Sequence, residues 1–119
     1  MQLVSATTEP SWLVTPEKVN AVIRRLIEIA HPKKIILFGS YARGDITEDS
    51  DLDVLIVAGD EVKNTRKESV RLRSAIKEIE MPMDILVVRE STFQKLGDTP
   101  GLIYEEARRT GRLVYECES

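Results

Sequence analysis

The sequence contains one cysteine and one histidine, and each scarcity excludes a kind of site. Cys117 has no second cysteine with which to form an intrachain disulfide, which fits a protein of the reducing cytoplasm. A zinc site built from several Cys and His ligands cannot be assembled, and a Ser-His-Asp triad would have to use His31. Any catalytic or metal site is therefore expected to use other side chains.

An excess of basic residues and long apolar runs are also absent. The 119 residues include 17 Lys and Arg against 20 Asp and Glu, a formal net charge of −3. This charge argues against the clustered basic surface that binds a nucleic-acid backbone, but it permits binding of a single nucleotide. No apolar run reaches membrane-spanning length, and residues 1–10 lack the basic and apolar segments of a signal peptide. These absences predict a cytoplasmic protein that binds neither membrane nor nucleic acid.

The order of the predicted elements indicates an α/β (α+β) fold. A chain of this length is expected to form one domain, which we predict over residues 15–119 after an N-terminal tail at 1–14. Apolar periodicity and turn residues predict helix 16–30, strand 33–38, short helix 39–42, strand 51–58, helix 62–80, strand 83–88, a helical turn at 91–96, helix 100–109 and an extended segment at 113–115. This order predicts helices packed on a small sheet.

Two carboxylates lie at the start of the second predicted strand. Asp51 and Asp53 are two positions apart, so in a strand they lie on one face with about 6.6 Å of backbone rise between them. Like charges at this spacing repel, and a cation would stabilise the arrangement. Mg²⁺ is commonly shared between a carboxylate pair and substrate phosphates. The pattern alone also fits a solvated strand end, so its weight depends on its neighbours.

Asp84 favours the metal interpretation. It lies near the start of the third predicted strand, and it joins Asp51 and Asp53 if that strand lies beside the second. Three carboxylates on neighbouring strands can hold two metal ions, which clamp the attacking and leaving oxygens of a displacement. The alternative is that Asp84 is a strand-end cap. We predict one or two Mg²⁺ ions at this cluster.

A glycine and a serine follow the first predicted strand. Gly39 lets the backbone approach a phosphate closely, and N–H groups at the start of a helix there favour an anion. Ser40 can donate a hydrogen bond to a phosphate oxygen, and Arg43 can add a charge-assisted contact. A Gly-Ser turn taken singly is a common connection between a strand and a helix. Next to the carboxylates, it indicates chemistry on a nucleoside triphosphate.

The motifs together resemble the signature of the DNA polymerase β-like nucleotidyltransferase superfamily. The resemblance rests on Gly39-Ser40, a spacer of ten residues, Asp51-x-Asp53 and the later Asp84. The fuller text, Gly-Ser-Tyr-Ala-Arg-Gly-Asp and then Ser-Asp-Leu-Asp, is similar to the minimal nucleotidyltransferase branch of that superfamily. The match covers nearly all of residues 16–115, so the resemblance concerns the whole predicted domain apart from its ends.

The resemblance implies a fold, a site and a reaction. The fold is a small mixed β-sheet flanked by helices. The implied metal ligands and catalytic carboxylates are Asp51, Asp53 and Asp84, and the implied nucleotide-binding residues are Gly39, Ser40 and Arg43. Asp84 is further implied to help activate the attacking hydroxyl. The reaction is transfer of AMP from ATP to a hydroxyl, with release of pyrophosphate.

The same branch implies a protein partner. Its members are often encoded beside a HEPN-domain toxin and act as the antitoxin, by placing AMP on a tyrosine of that toxin. A hetero-oligomer with the toxin, or a homodimer, is expected. Two alternatives stay open: neutralisation by binding alone, and transfer to a small-molecule hydroxyl, for which the chain has little room. Trp12 and helix 100–110 with Tyr104 are candidate docking surfaces, although core packing is the competing interpretation for each.

Overall fold

Four strands and five helices make up the parts of the chain, residues 14–44 and 51–117, that the computed structural model describes. The elements are α1 Pro16–Ala30, β1 Lys34–Phe38, α2 Gly39–Arg43, β2 Leu52–Ala58, α3 Thr65–Ala75, β3 Met83–Arg89, α4 Glu90–Leu96, α5 Ile103–Thr110 and β4 Arg112–Glu116. The predicted α/β class is confirmed. The tail with Trp12 lies outside the described residues, as does the predicted acidic loop at 45–50.

The strands form one mixed sheet in the order β3-β2-β1-β4. β1 pairs antiparallel with β2 and with β4, while β2 and β3 run parallel. Parallel neighbours need a crossover connection, and α3 supplies it. The prediction of a small mixed sheet flanked by helices is thus confirmed, and the predicted final segment is its fourth strand.

Side chains alternate across β2, so the strand contributes to two cores. Leu52, Val54 and Ile56 are fully buried against α1 and α3 on one face. Leu55 and Val57 lie on the opposite face, where Phe93 of α4 and Ala107 of α5 cover them. Asp53 shares the face of Leu55 and Val57 but is only half-buried. The face under α4 and α5 therefore carries the candidate site.

The ends of α1 follow the sequence prediction. Thr15 caps the helix by accepting a hydrogen bond of 3.3 Å from the Lys18 N–H, and Pro16 occupies the first turn. His31 adopts a left-handed conformation with φ of 45°, and its N–H bonds to Ile27 O at 3.2 Å. Within the described residues, every helix is too short or too polar to span a bilayer.

Three predicted helix boundaries are wrong: both ends of α3 and the start of α5. α3 is shorter than residues 62–80, because Asn64 caps it by accepting from the Lys67 N–H at 3.0 Å and residues 76–79 leave the helical geometry. α5 begins at Ile103 and not at residue 100, since Thr99 to Leu102 form a turn with Gly101 at φ 87°. Apolar periodicity continues through Ile76 and Ile79, so it could not show where α3 ends. The predicted start of α5 rests on Thr99-Pro100, which lie in the turn and not in the helix.

Candidate nucleotide and metal site

The parallel pairing of β2 and β3 sets Asp53 directly beside Asp84. Partners in register on adjacent strands place their side chains on the same face. That face is the one under α4 and α5, because Leu55 and Val88 further along the two strands belong to its core. The condition under which Asp84 joins the cluster, that the third strand lies beside the second, is therefore met. Asp84 is exposed and Asp53 half-buried, so both carboxylates lie where the core opens to solvent.

Negative charge accumulates around Asp53. Burial raises the pKa of its carboxyl above the ordinary value, and the charges of Asp84, Asp51 and Glu106 raise the pKa further, whereas Arg43 lowers it. Desolvation and like charges both disfavour an ionised carboxylate. A cation at this position would reverse that penalty. The electrostatics of the cluster thus fit a positively charged ligand.

The donor set fits Mg²⁺ in its chemistry, although the carboxylates do not enclose an ion in this conformation. No three acidic, histidine or cysteine side chains in the described parts converge into a metal-binding group. Mg²⁺ prefers oxygen ligands, and it is usually held by one or two carboxylates, waters and substrate phosphates and not by an all-protein cage. A site that closes only with the triphosphate present is consistent with both observations. Asp51, Asp53 and Asp84 stay predicted ligands.

Gly39 is in direct contact with the carboxylate of Asp53. A Cβ at Gly39 would collide with Asp53 Oδ2 and lie 3.2 Å from Asp53 Cγ. The contact arises because Phe38, the preceding residue, pairs with Asp53 across the antiparallel β1–β2 ladder. Gly39 also has φ of 76°, which side chains rarely tolerate. Gly39 thus approaches a carboxylate of the site, which joins the Gly-Ser turn to the aspartates. Its predicted approach to a phosphate stays a prediction.

α2 places Ser40 and Arg43 at the same end of the sheet. The helix spans Gly39–Arg43 and ends at Gly44, which has φ of 85°. Tyr41 packs against the core on the α1 side. Ser40 is half-buried, and Arg43 is exposed on the side of α5. The structure thus brings together, on one short helix beside Asp53, the three residues predicted to bind the nucleotide.

Glu106 is a member of this site that the sequence did not indicate. Its Oε2 lies 3.5 Å from Arg43 Nη1, and its charge acts on Asp53. Glu106 follows Arg43 by 63 residues, and a glutamate in the first turn of an amphipathic helix has an ordinary solvated interpretation. Only the packing of α5 next to α2 reveals it. Tyr104 on the same helix packs partly buried against the core, which favours core packing over docking.

Residues 17–111 match the family described as nucleotidyltransferase domain. The match spans every predicted site residue, from Gly39 to Asp84, and it includes Glu106. The chain therefore belongs to the nucleotidyltransferase domain family, and the resemblance noted in the sequence is confirmed at that level.

Two proteins of Methanocaldococcus jannaschii, both provisionally named protein adenylyltransferase, are similar over shorter stretches. One is 84% identical over 25 residues, which is 21% of this chain and 25% of the relative. The other is 43% identical over 54 residues, which is 45% of this chain and 52% of the relative. The chain thus matches a quarter and about half of the lengths of these relatives.

A solved structure has a similar fold. It is the crystal structure of a provisionally named nucleotidyltransferase from Sulfolobus solfataricus, with a TM-score of 0.51 and 19% identity. The match covers 87% of this chain and 90% of the other. At this identity the likeness supports the fold alone.

Proposed function

We propose that this protein is a Mg²⁺-dependent nucleotidyltransferase that transfers AMP from ATP to a hydroxyl of a partner protein. The observation that carries the proposal is the contact of Gly39 with the carboxylate of Asp53, which itself lies beside Asp84. A turn suited to phosphate and a carboxylate pair suited to a cation are thereby one site. Neither motif alone would distinguish nucleotide chemistry from an ordinary strand end.

Five residues of the site have a proposed role in binding Mg²⁺ or ATP. Asp51, Asp53 and Asp84 would hold Mg²⁺, which when bound offsets the negative charge of the triphosphate. Ser40 donates a hydrogen bond to a phosphate oxygen. The Arg43 guanidinium presents planar N–H donors to the same group. In the proposed arrangement the α-phosphorus of ATP faces Asp84, whose side chain is exposed.

The proposed reaction is an in-line displacement at the α-phosphorus. The acceptor hydroxyl oxygen forms a bond to this phosphorus, while the bond from the phosphorus to the bridging oxygen of pyrophosphate breaks. Asp84 accepts the hydroxyl proton, since it is the exposed carboxylate of the β2–β3 pair and is open to an incoming acceptor. Pyrophosphate leaves, and the acceptor carries AMP.

The proposed acceptor is a tyrosine of a HEPN-domain toxin, with this chain as its antitoxin. Two features support a protein acceptor. The motifs resemble those of the minimal nucleotidyltransferase branch, and both Methanocaldococcus jannaschii relatives are provisionally named for protein adenylylation. The acceptor hydroxyl would then come from the partner chain in a hetero-oligomer.

The proposal is tested by incubating the purified chain with Mg²⁺, ATP labelled on the α-phosphate, and a HEPN-domain protein encoded beside its gene. We expect label on a partner tyrosine, which mass spectrometry of peptides would locate. Asp51→Asn or Asp53→Asn should abolish the label, whereas Asp98→Asn, at an exposed carboxylate that pairs with Arg108, should not. Labelling that persists in both site variants would refute the metal assignment.

A second measurement separates catalysis from binding. Toxicity of the partner is measured in cells that express either the wild type or the triple variant at Asp51, Asp53 and Asp84. We expect the triple variant to lose neutralisation. Full protection by that variant would show that binding alone neutralises the partner. In the labelling assay, label on an added small-molecule alcohol but not on the partner would show that the acceptor is a small molecule.

A further inference from the structure

The side chains that meet at the junction of α2 and α5 include a carboxylate that the proposed reaction does not use. Glu106 Oε2 and Arg43 Nη1 are 3.5 Å apart, and the side chains are 41% and 45% exposed. The separation is longer than the 2.7–2.9 Å typical of a charge-assisted hydrogen bond. The pair is therefore loose and accessible to solvent, and an incoming anion can compete for the guanidinium.

The position of Glu106 is nevertheless fixed. Its neighbour Ala107 is buried, and Gly111 at the end of α5 is pressed against β1: a Cβ there would lie 2.7 Å from Ile36 Cγ2 and 2.9 Å from Leu37 O. The Thr110 hydroxyl donates to the Glu106 carbonyl at 2.9 Å. Because β1 leads directly into α2, this packing sets the distance between Glu106 and Arg43.

A second ion pair on α5 is shorter than the pair of Glu106 and Arg43. Glu105 Oε2 lies 2.8 Å from Arg109 Nε, one helical turn away. That pair joins two residues within α5, whereas the pair of Glu106 joins α5 to the helix that carries the nucleotide-binding residues. Adjacent glutamates thus differ in partner and in tightness, and only Glu106 contacts the site.

We infer that Glu106 is a positioning residue that holds Arg43 while the site is empty and releases it to the triphosphate when ATP binds. When pyrophosphate leaves, the guanidinium returns to Glu106. Glu106 and the triphosphate both bind the Arg43 guanidinium, so Glu106 weakens nucleotide binding slightly and favours product release. This inference rests on the proposed function, because it assumes that Arg43 contacts phosphate.

Binding measurements on the full chain test the inference without any acceptor. The dissociation constants of ATP and of inorganic pyrophosphate are measured by calorimetry in the presence of Mg²⁺. Glu106→Gln should tighten both by about two- to fivefold, the range expected when an exposed ion pair ceases to compete. Glu105→Gln is the matched control, since it removes the same charge from the same turn and leaves Arg43 untouched; it should change neither constant.

Two further variants identify the route of the effect. Glu106→Asp keeps the charge but shortens the side chain away from Arg43, so it should also tighten binding. In an Arg43→Gln background, Glu106→Gln should have no effect. If Glu106→Gln tightened binding equally in that background, or if Glu105→Gln tightened it equally in the wild type, Glu106 would act only through its negative charge and not through Arg43. Either result would overturn the inference.

The readouts separate this inference from the proposed function. A wild type that binds neither ATP nor pyrophosphate would refute the nucleotide site and the inference together. A wild type that binds both, with Glu106→Gln unchanged or weaker, would refute the inference alone. Steady-state kinetics add a further sign: Glu106→Gln should lower the KM for ATP without raising kcat, because pyrophosphate is released more slowly.

Discussion

The two faces of β2 are covered to different extents, although one strand supplies both. On the face under α1 and α3, Leu52, Val54 and Ile56 are all fully buried. On the other face α4 and α5 bury Leu55 and Val57, but Asp53 at the near end stays half-buried. One face of β2 is thus packed along the whole strand, whereas the other face opens to solvent at the end that carries Asp53.

The difference explains how a small domain can keep carboxylates in place. An isolated charged strand end would fray, because exposed polar side chains supply little burial energy. Here the apolar side chains that alternate with Asp51 and Asp53 hold the backbone, since Leu52 lies between them and points into the closed core. The stability of the closed face therefore positions the groups on the open one.

The comparison is tested most strongly by a cavity on the closed face. Leu52→Ala should lower the free energy of unfolding by about 2–5 kcal/mol, because a fully buried leucine loses its contacts. Urea unfolding measures this loss. Leu113→Ala is the matched control, since that leucine is 52% exposed and the change should cost less than about 0.5 kcal/mol. Equal losses in the two variants would show that β2 is not held from the closed face.

We expect Gly39→Ala to lower stability less than Leu52→Ala does, but to disturb the site specifically. Gly39→Ala places a methyl group against Asp53 Oδ2, so the carboxylate must move. Displacement of a catalytic group by about 1 Å can cost about 100-fold in rate, and we expect a loss of this order in AMP transfer.

Gly44→Ala is the control for the change at Gly39. Gly44 has a similar φ of 85°, but nothing among the described residues lies within 4 Å of its added Cβ. Gly44→Ala should therefore lower the free energy of unfolding by about 1–2 kcal/mol through backbone strain, as thermal unfolding would measure, but it should keep the rate of AMP transfer. Comparable rates in the two glycine variants would show that the contact with Asp53 does not matter.

The open face also shows how far the sequence could predict the site. Gly39, Ser40, Asp51 and Asp53 are close in the chain, so their motif and spacing were sufficient to group them. Asp84 needed only the assumption that consecutive strands lie side by side, which the β2–β3 pairing confirms. These are local or nearly local relations, and sequence patterns carry them.

Glu106 and the end of α3 could not be predicted in the same way. The contact of Glu106 with Arg43 depends on α5 packing beside α2, a tertiary relation with no local signal. The end of α3 depends on turns that retain apolar spacing, with Ile76 fully buried just beyond the helix. Apolar periodicity reports burial, and burial continues where the helix does not.

The smallest expected effect concerns the pH dependence of stability and comes from Asp53. Its pKa in the folded protein is raised by burial and by Asp84, Asp51 and Glu106, so the folded state binds a proton more readily than the unfolded state. The ionised carboxylate therefore destabilises the fold above the folded pKa, and this penalty is lost as the pH falls towards the unfolded value near pH 4. Without Mg²⁺, Asp53→Asn should be slightly more stable than the wild type at pH 7, and the difference should vanish below pH 4.

Thermal unfolding across this pH range measures the effect, with Asp98→Asn as the control because its carboxylate is 88% exposed and lies outside the cluster. Mg²⁺ should stabilise the wild type and leave Asp53→Asn unchanged, since a cation that binds only the folded state adds to stability. If Asp53→Asn were less stable than the wild type at pH 7, the Asp53 carboxylate would help to stabilise the fold. Both faces of β2 would then contribute to stability, and the proposed difference between them would be wrong.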